Sequence, residues 1–306
     1  MKKVLSVLFT PVLLLGLSTE VQAHDPPDFI GAVWQWPETH LPVLDADLSE
    51  WDIIPEEFWI TEQSVVQSTA RPWIYTGDLD VSSISFRWIP TWNEETNRIY
   101  WAYERFDDKY QLGNESVETT VDADHSGGSF WDLEGQTDEE KARQRGRHAQ
   151  ISHYWFDNGQ AREGEWNWFW MTQATWYDTP PYSDHAYWFS GTTPNSFEEM
   201  RQRAEWWSVY WDDFNWEDPA GSVLHDFEQD QIIGLTGHVF DTDAELSDDC
   251  NCHSRWAISP NVESFGDADF LADWVLLGVD DSAFEGIAPT AVEDNTWGQI
   301  KASFGK

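Results

Sequence analysis

The stretch DVSSISFRWIPTWNEETNRIYWAYERFDD (Asp80–Asp108) decides the fold class. Two strand-like runs, Ser83–Trp92 and Arg98–Phe106, flank a polar turn at Asn93–Asn97, the pattern of a β-hairpin. The next segment continues the theme. Ser116, Glu118 and Thr120 alternate with Val117, Thr119 and Val121, the period of a strand with one buried face. Further strands are expected in AQISHYWFD (Ala149–Asp157), GEWNWFWMTQATWY (Gly164–Tyr177), QIIGLTGHVFDTDAEL (Gln231–Leu246), HSRWAISP (His253–Pro260) and DFLADWVLLGVD (Asp269–Asp280). Short strands separated by turn signals point to an all-β chain, an antiparallel β-sandwich. Two short helices are expected on it. Thr137 with Glu140 forms a capping box for one that runs to Arg147, and Ser196 with Glu199 caps one that runs to Trp207. The first gathers Lys141, Arg143, Arg145 and Arg147, read as a solvated basic face.

The first residues carry a secretory signal. Lys2 and Lys3 precede an apolar run, Val4–Leu17, and Val21, Gln22 and Ala23 form a small-residue cleavage site. No later run approaches the roughly 18 apolar residues of a spanning helix. The expected organisation is a signal peptide over 1–23 and a single domain over 24–306, with an insertion at about 131–230. The expected location is secreted, periplasmic or on the cell surface.

Composition narrows the partners. The chain has 56 acidic against 17 basic residues, a formal net charge of -39. Such a charge repels nucleic acid and anionic membranes, and a halophilic protein is the plain reading of it. The 22 tryptophans are the second anomaly, and about half fall between Trp131 and Trp216. Most are expected in a thick aromatic core, with a minority left on the surface as a platform for flat apolar faces such as those of sugar rings.

Several clusters could carry chemistry. Asp122, Asp124 and Ser126, followed by Gly127 and Gly128, match the early positions of a calcium loop. The bidentate glutamate is missing, since its place falls on Leu133. A calcium-supported turn and a metal-free acidic turn both stay open, and Asp241 with Asp243 form a weaker pair of the same kind. Cys250 and Cys252, the only cysteines, are separated by one residue and followed by His253. A local disulfide comes first, ahead of a metal site or an intermolecular bridge. Covalent haem attachment needs two intervening residues. His24, first after the expected cleavage, could bind copper through its amine and imidazole if a second histidine lay near it. The sequence shows no Ser-His-Asp signature, phosphate loop or HExxH motif, and its carboxylates are too many to single out a glycosidase pair.

Four segments in order resemble the family-9 carbohydrate-binding modules and their wider β-sandwich superfamily, which includes DOMON-type domains and haem-binding dehydrogenase subunits. They are LDADLSEWDIIP (Leu44–Pro55), WNEETNRIYWAYERFDD (Trp92–Asp108), ESVETTVDADHSGG (Glu115–Gly128) and IIGLTGHVFDTDAEL with RWAIS (Ile232–Leu246, Arg255–Ser259). The resemblance implies a β-sandwich and leaves most of 131–230 unaccounted for. Sugar-binding members clamp a terminal sugar between two tryptophans; the matching positions here are Leu112, with Tyr110 nearby, and Phe265. Any sugar site implied by the resemblance would be rebuilt from Tyr110, Trp131 and Phe265. Non-covalent haem would need axial Met, Lys or His, and Met171 and Met200 fall outside the matched segments.

The reading is therefore a secreted, non-catalytic carbohydrate-binding protein with a calcium-supported loop, whose partner is a glycan or another extracellular ligand. Two alternatives remain: an extracellular structural or surface-assembly protein, and a haem-binding electron-transfer subunit.

Overall fold

The computed structural model describes residues 29–64, 66–67, 82, 84–108, 116–130, 137, 146–155, 165–167, 176–190, 200–215, 217, 219–242, 253–259, 264 and 266–290. The strands are β1 (Ile30–Gln35), β2 (Ile60–Thr61), β3 (Val66–Gln67), β4 (Ile84–Asn93), β5 (Arg98–Asp107), β6 (Ser116–Asp122), β7 (Gln150–Trp155) and β8 (Glu165–Asn167). They continue with β9 (Ser183–Ser190), β10 (Met200–Ser208), β11 (Trp211–Asp213), β12 (Val223–Leu224), β13 (Ile232–Thr242), β14 (His253–Ala257) and β15 (Ala272–Leu276). The expected hairpin is β4 and β5, whose ladder runs from Ile84 opposite Asp107 to Asn93 opposite Arg98. Asn97 closes its turn with a φ of 54°, a left-handed conformation that asparagine tolerates better than most residues.

The chain is mostly β, folded as one curled, mixed sheet path of sandwich-like form. The order is β8-β7-β6-β13-β15-β1-β4-β5-β10-β9. β1 is the hinge of this path. Its first half, Ile30–Val33, pairs with β15, and Trp34 and Gln35 pair with β4; both ladders are parallel, whereas the other pairings are antiparallel. One half of the path, from β8 to β15, therefore folds over the other half, from β4 to β9. The close approach is visible at Gly237 of β13, where a Cβ would lie 2.5 Å from Cζ2 of Trp88 on β4.

Aromatic rings fill the space between the halves. Trp88 and Trp101 lie 5.8 Å apart, Trp101 stacks on Trp206 at 5.7 Å, and Trp206 stacks on Tyr154 of β7 at 5.9 Å. These rings come from β4, β5, β10 and β7, so the stack runs from one half of the path into the other. Each such pair contributes about 0.5–1.5 kcal/mol beyond its buried area. A second cluster, with Trp36, Trp51, Ile89, Tyr100 and Trp207 among its buried members, lies on the other face of the β4–β5–β10 sheet.

One expectation is corrected here. The segment from Ser196 to Trp207 is not a helix where it is described: Met200–Ser208 is β10, paired with β5 on one side and β9 on the other. The Ser-x-x-Glu signal was real as a local pattern, but two continuous ladders override local propensity. Residues 138–145, the body of the other expected helix, lie outside the described residues. Of the strands described within 131–230, β7 extends the main path beside β6, β8 follows β7, and β10 and β9 extend it beside β5, while β11 and β12 pair with each other in a separate two-stranded sheet.

Candidate binding cleft

The alternation of β10 builds the site. Gln202, Ala204 and Trp206 are buried, while Arg201 is exposed and Arg203 is half-buried on the opposite face. Register then aligns neighbours. Thr61 stands opposite Arg87, Arg87 opposite Glu104, Glu104 opposite Arg203, and Arg203 opposite Trp188. This is one row across β2, β4, β5, β10 and β9. A second row, two residues along, carries Ser85, Phe106 and Arg201. Because side chains two apart on a strand share a face, both rows point outward together.

The rows line a cleft of about 350 Å³. Its centre is Glu104. One carboxylate oxygen accepts from Arg87 Nε at 3.1 Å and the other from Arg203 Nε at 3.0 Å. Arg87 also lies 3.5 Å from Asp52 and packs its guanidinium 4.5 Å from the Trp59 ring centroid. Arg203 lies 5.1 Å from the Trp188 ring and Arg201 5.3 Å from that of Phe106. These ion pairs are exposed enough to add little stability; their effect is to fix the direction of the guanidinium groups. Trp188 keeps 43% of its surface exposed, the largest such fraction among the tryptophans whose side chains are described. Glu62 closes one edge by accepting the backbone N–H of Phe86 at 3.1 Å.

The rest of this face is covered. Residues 44–59 lie over it, held by Glu205, the next outward residue on β10. One Glu205 oxygen accepts the N–H groups of Ala46 at 2.6 Å and Asp45 at 3.1 Å, and the other accepts Trp51 Nε1 at 2.7 Å. Burial pushes this carboxyl up to about 7, against the three donors that pull it down. The motif LDADLSEW thus folds as a cap on a buried glutamate, and where the cap ends the cleft begins.

Among the described residues, none of the candidates named from sequence lines the cleft. Tyr110, Trp131, Phe265, Asp243, Cys250, Cys252, His24 and Met171 lie outside the described residues. Asp122 ends β6; its Oδ2 accepts Gly127 N–H at 2.8 Å, and its Oδ1 and Asp124 Oδ1 both accept Ser126 N–H, at 3.3 and 3.2 Å. Burial first, then the neighbouring Asp124, raises the Asp122 carboxyl to about 7. Among the described residues, no group of three or more His, Cys, Asp or Glu side chains is placed to hold a metal ion. Asp241 is not brought to this loop. Asp122 faces Gly234 on β13, and Asp241 lies seven positions further along, about 23 Å away at about 3.3 Å per residue. It lies 3.4 Å from the buried Arg105 instead.

Sequence reasoning missed the cleft because its arginines come from separate segments. Arg87 sits in the recognised hairpin, and Arg201 and Arg203 sit in the segment read as a helix. The signal was present: Arg201, Arg203 and Glu205 alternate with Gln202, Ala204 and Trp206, a strand period. On a helix those arginines would not have shared a face with Arg87.

No protein-family model and no curated protein matches the chain. Among solved structures the chain is similar to a carbohydrate-binding module of family 9 from Caldicellulosiruptor kristjanssonii in complex with glucose. The identity is 10%, the match covers 82% of this chain and 97% of that one, and the TM-score is 0.44. A structure of a family-9 module from the same organism with cellotriose gives 11% identity, coverage of 85% and 98%, and a TM-score of 0.42.

Proposed function

We propose that the protein binds a saccharide in the cleft on the outer face of β4, β5, β10 and β9. The half-exposed Trp188 ring beside the row of Arg87, Glu104 and Arg203 carries this reading. A sugar presents an apolar ring face and a rim of hydroxyls that both donate and accept. An indole offers the first a stacking surface, and alternating guanidinium and carboxylate groups offer the second partners of both kinds. The side chains stand on a paired sheet and need little reordering on binding. The motif resemblance to carbohydrate-binding modules points the same way.

The test is a glycan array followed by titration of the best ligand. Trp188→Ala should weaken binding about tenfold while leaving the melting temperature close to wild type, because its ring lies at the surface. Equal affinities for the two proteins would remove Trp188 from the site. A blank array would favour the surface-assembly reading, and a Soret band in the purified protein the haem reading.

Two further elements belong to the proposal. The protein is exported through its leader, which N-terminal sequencing of the secreted chain tests. Calcium supports the 122–128 loop, where Asp122 and Asp124 turn two carboxylates toward one N–H group. Loop carbonyls, Ser126 and water would complete the six to eight oxygens that the ion takes.

A further inference from the structure

We infer that the saccharide held in this cleft is anionic, bearing a carboxylate or a sulfate ester, and that Arg201 receives its charge. The inference rests on the reading of the cleft as a saccharide site and goes beyond it. The chain has 17 basic residues among 56 acidic ones, so an arginine on its surface is surrounded by an excess of carboxylates. Arg201 nevertheless has no ion-pair partner among the described residues; its guanidinium faces the Phe106 ring at 5.3 Å. Two other arginines of the cleft, Arg87 and Arg203, share one carboxylate, Glu104. Each gives it only Nε–H; a terminal nitrogen of Arg87 lies 3.5 Å from Asp52, while those of Arg203 carry no hydrogen bond among the described residues. A second acid, Glu62, accepts the Phe86 N–H through Oε2. Of the four arginines that line the cleft, Arg87 is matched to Glu104 and Asp52, Arg203 to Glu104, and the buried Arg105 to Asp107 and Asp241. Arg201 is the one with no carboxylate among the described residues, in a protein whose net charge is -39.

A cleft for a neutral sugar has no use for an unpaired guanidinium, since hydroxyls are satisfied by paired donors and acceptors. A planar guanidinium backed by an aromatic ring is held flat and weakly hydrated, and it offers a fork of N–H donors to a carboxylate or sulfate. The acidic remainder of the molecule does not cancel this. At 0.15 M salt the Debye length is about 8 Å, so distant carboxylates are screened while the ligand touches the arginine directly.

The experiment is calorimetric titration of the full chain at 0.5 M sodium chloride, with neutral, uronate and sulfated oligosaccharides of matched length. Wild type should bind a uronate or sulfated oligosaccharide about tenfold or more tightly than its neutral counterpart. Which anion is preferred identifies the group received, and either result supports the inference. Arg201→Gln should abolish the preference of acidic over neutral oligosaccharides, and Arg201→Lys, which keeps the charge without the fork, should fall between. Trp188→Ala should weaken all ligands alike. A neutral ligand bound as tightly as the acidic ones, or a preference intact in Arg201→Gln, overturns the inference and leaves the saccharide site standing. Failure of every oligosaccharide to bind overturns the site itself. Circular dichroism of each variant verifies that the comparison is between folded proteins.

Discussion

Glu205 shows how one residue joins two parts of the fold. It is wholly buried, yet its three donors come from residues 45–51, so the cap and the sheet are tied through a single carboxylate. Its folded pKa of about 7 lies above the ordinary glutamate value. A raised carboxyl pKa means that the folded state holds its proton more tightly than the unfolded chain. Its contribution is therefore fully present below the unfolded pKa of about 4.3 and is lost as pH rises through about 7. Glu205→Gln, which cannot ionise, should flatten the decline of stability between pH 4.5 and 7. Urea unfolding at several pH values measures this, and a wild-type profile as flat as that of the variant would contradict the assignment. None of this coupling could be read from the sequence, because Glu205 and Trp51 are 154 positions apart.

At the scale of elements, legibility followed the period of the pattern. The β4–β5 hairpin and β6 were plain, since a polar turn between two runs and an uninterrupted alternation each admit one reading. β10 was not, because a local capping signal competed with a period-2 pattern that only its two neighbours make decisive. β1 was hidden for another reason: it pairs in parallel with strands from distant parts of the chain, and no local turn announces such pairing. The acidic turn after β6 was legible as a loop, with Gly127 and Gly128 at φ of 70° and 88°, but its ligand was not. If calcium supports it, metal bound to the folded state raises the melting temperature by mass action. Melting at fixed ionic strength with calcium and with chelator tests this. Asp124→Asn should abolish the difference, and equal midpoints for wild type would end the proposal.

At the scale of the whole molecule, charge governs behaviour. Repulsion among 56 acidic residues should weaken as the Debye length falls from about 10 Å at 0.1 M salt to about 3 Å at 1 M. Stability should therefore rise with sodium chloride over that range, with most of the gain early; a flat or falling curve would remove the halophilic reading. Composition made this visible at once. The cleft was invisible for a complementary reason, since it exists only where five strands bring Thr61, Arg87, Glu104, Arg203 and Trp188 into one row. Tryptophan count likewise announced a core but not which ring stays outside it.

That ring offers the most direct test of the central claim. Each indole N–H gives its own resonance in a ¹H–¹⁵N spectrum, and Trp188→Phe identifies the one belonging to Trp188. Titration with the oligosaccharide that binds best should shift this resonance, while those of the buried Trp88, Trp101 and Trp206 hold still. A bound ligand that leaves Trp188 unmoved and shifts a different indole would contradict the account and place the site elsewhere on the protein.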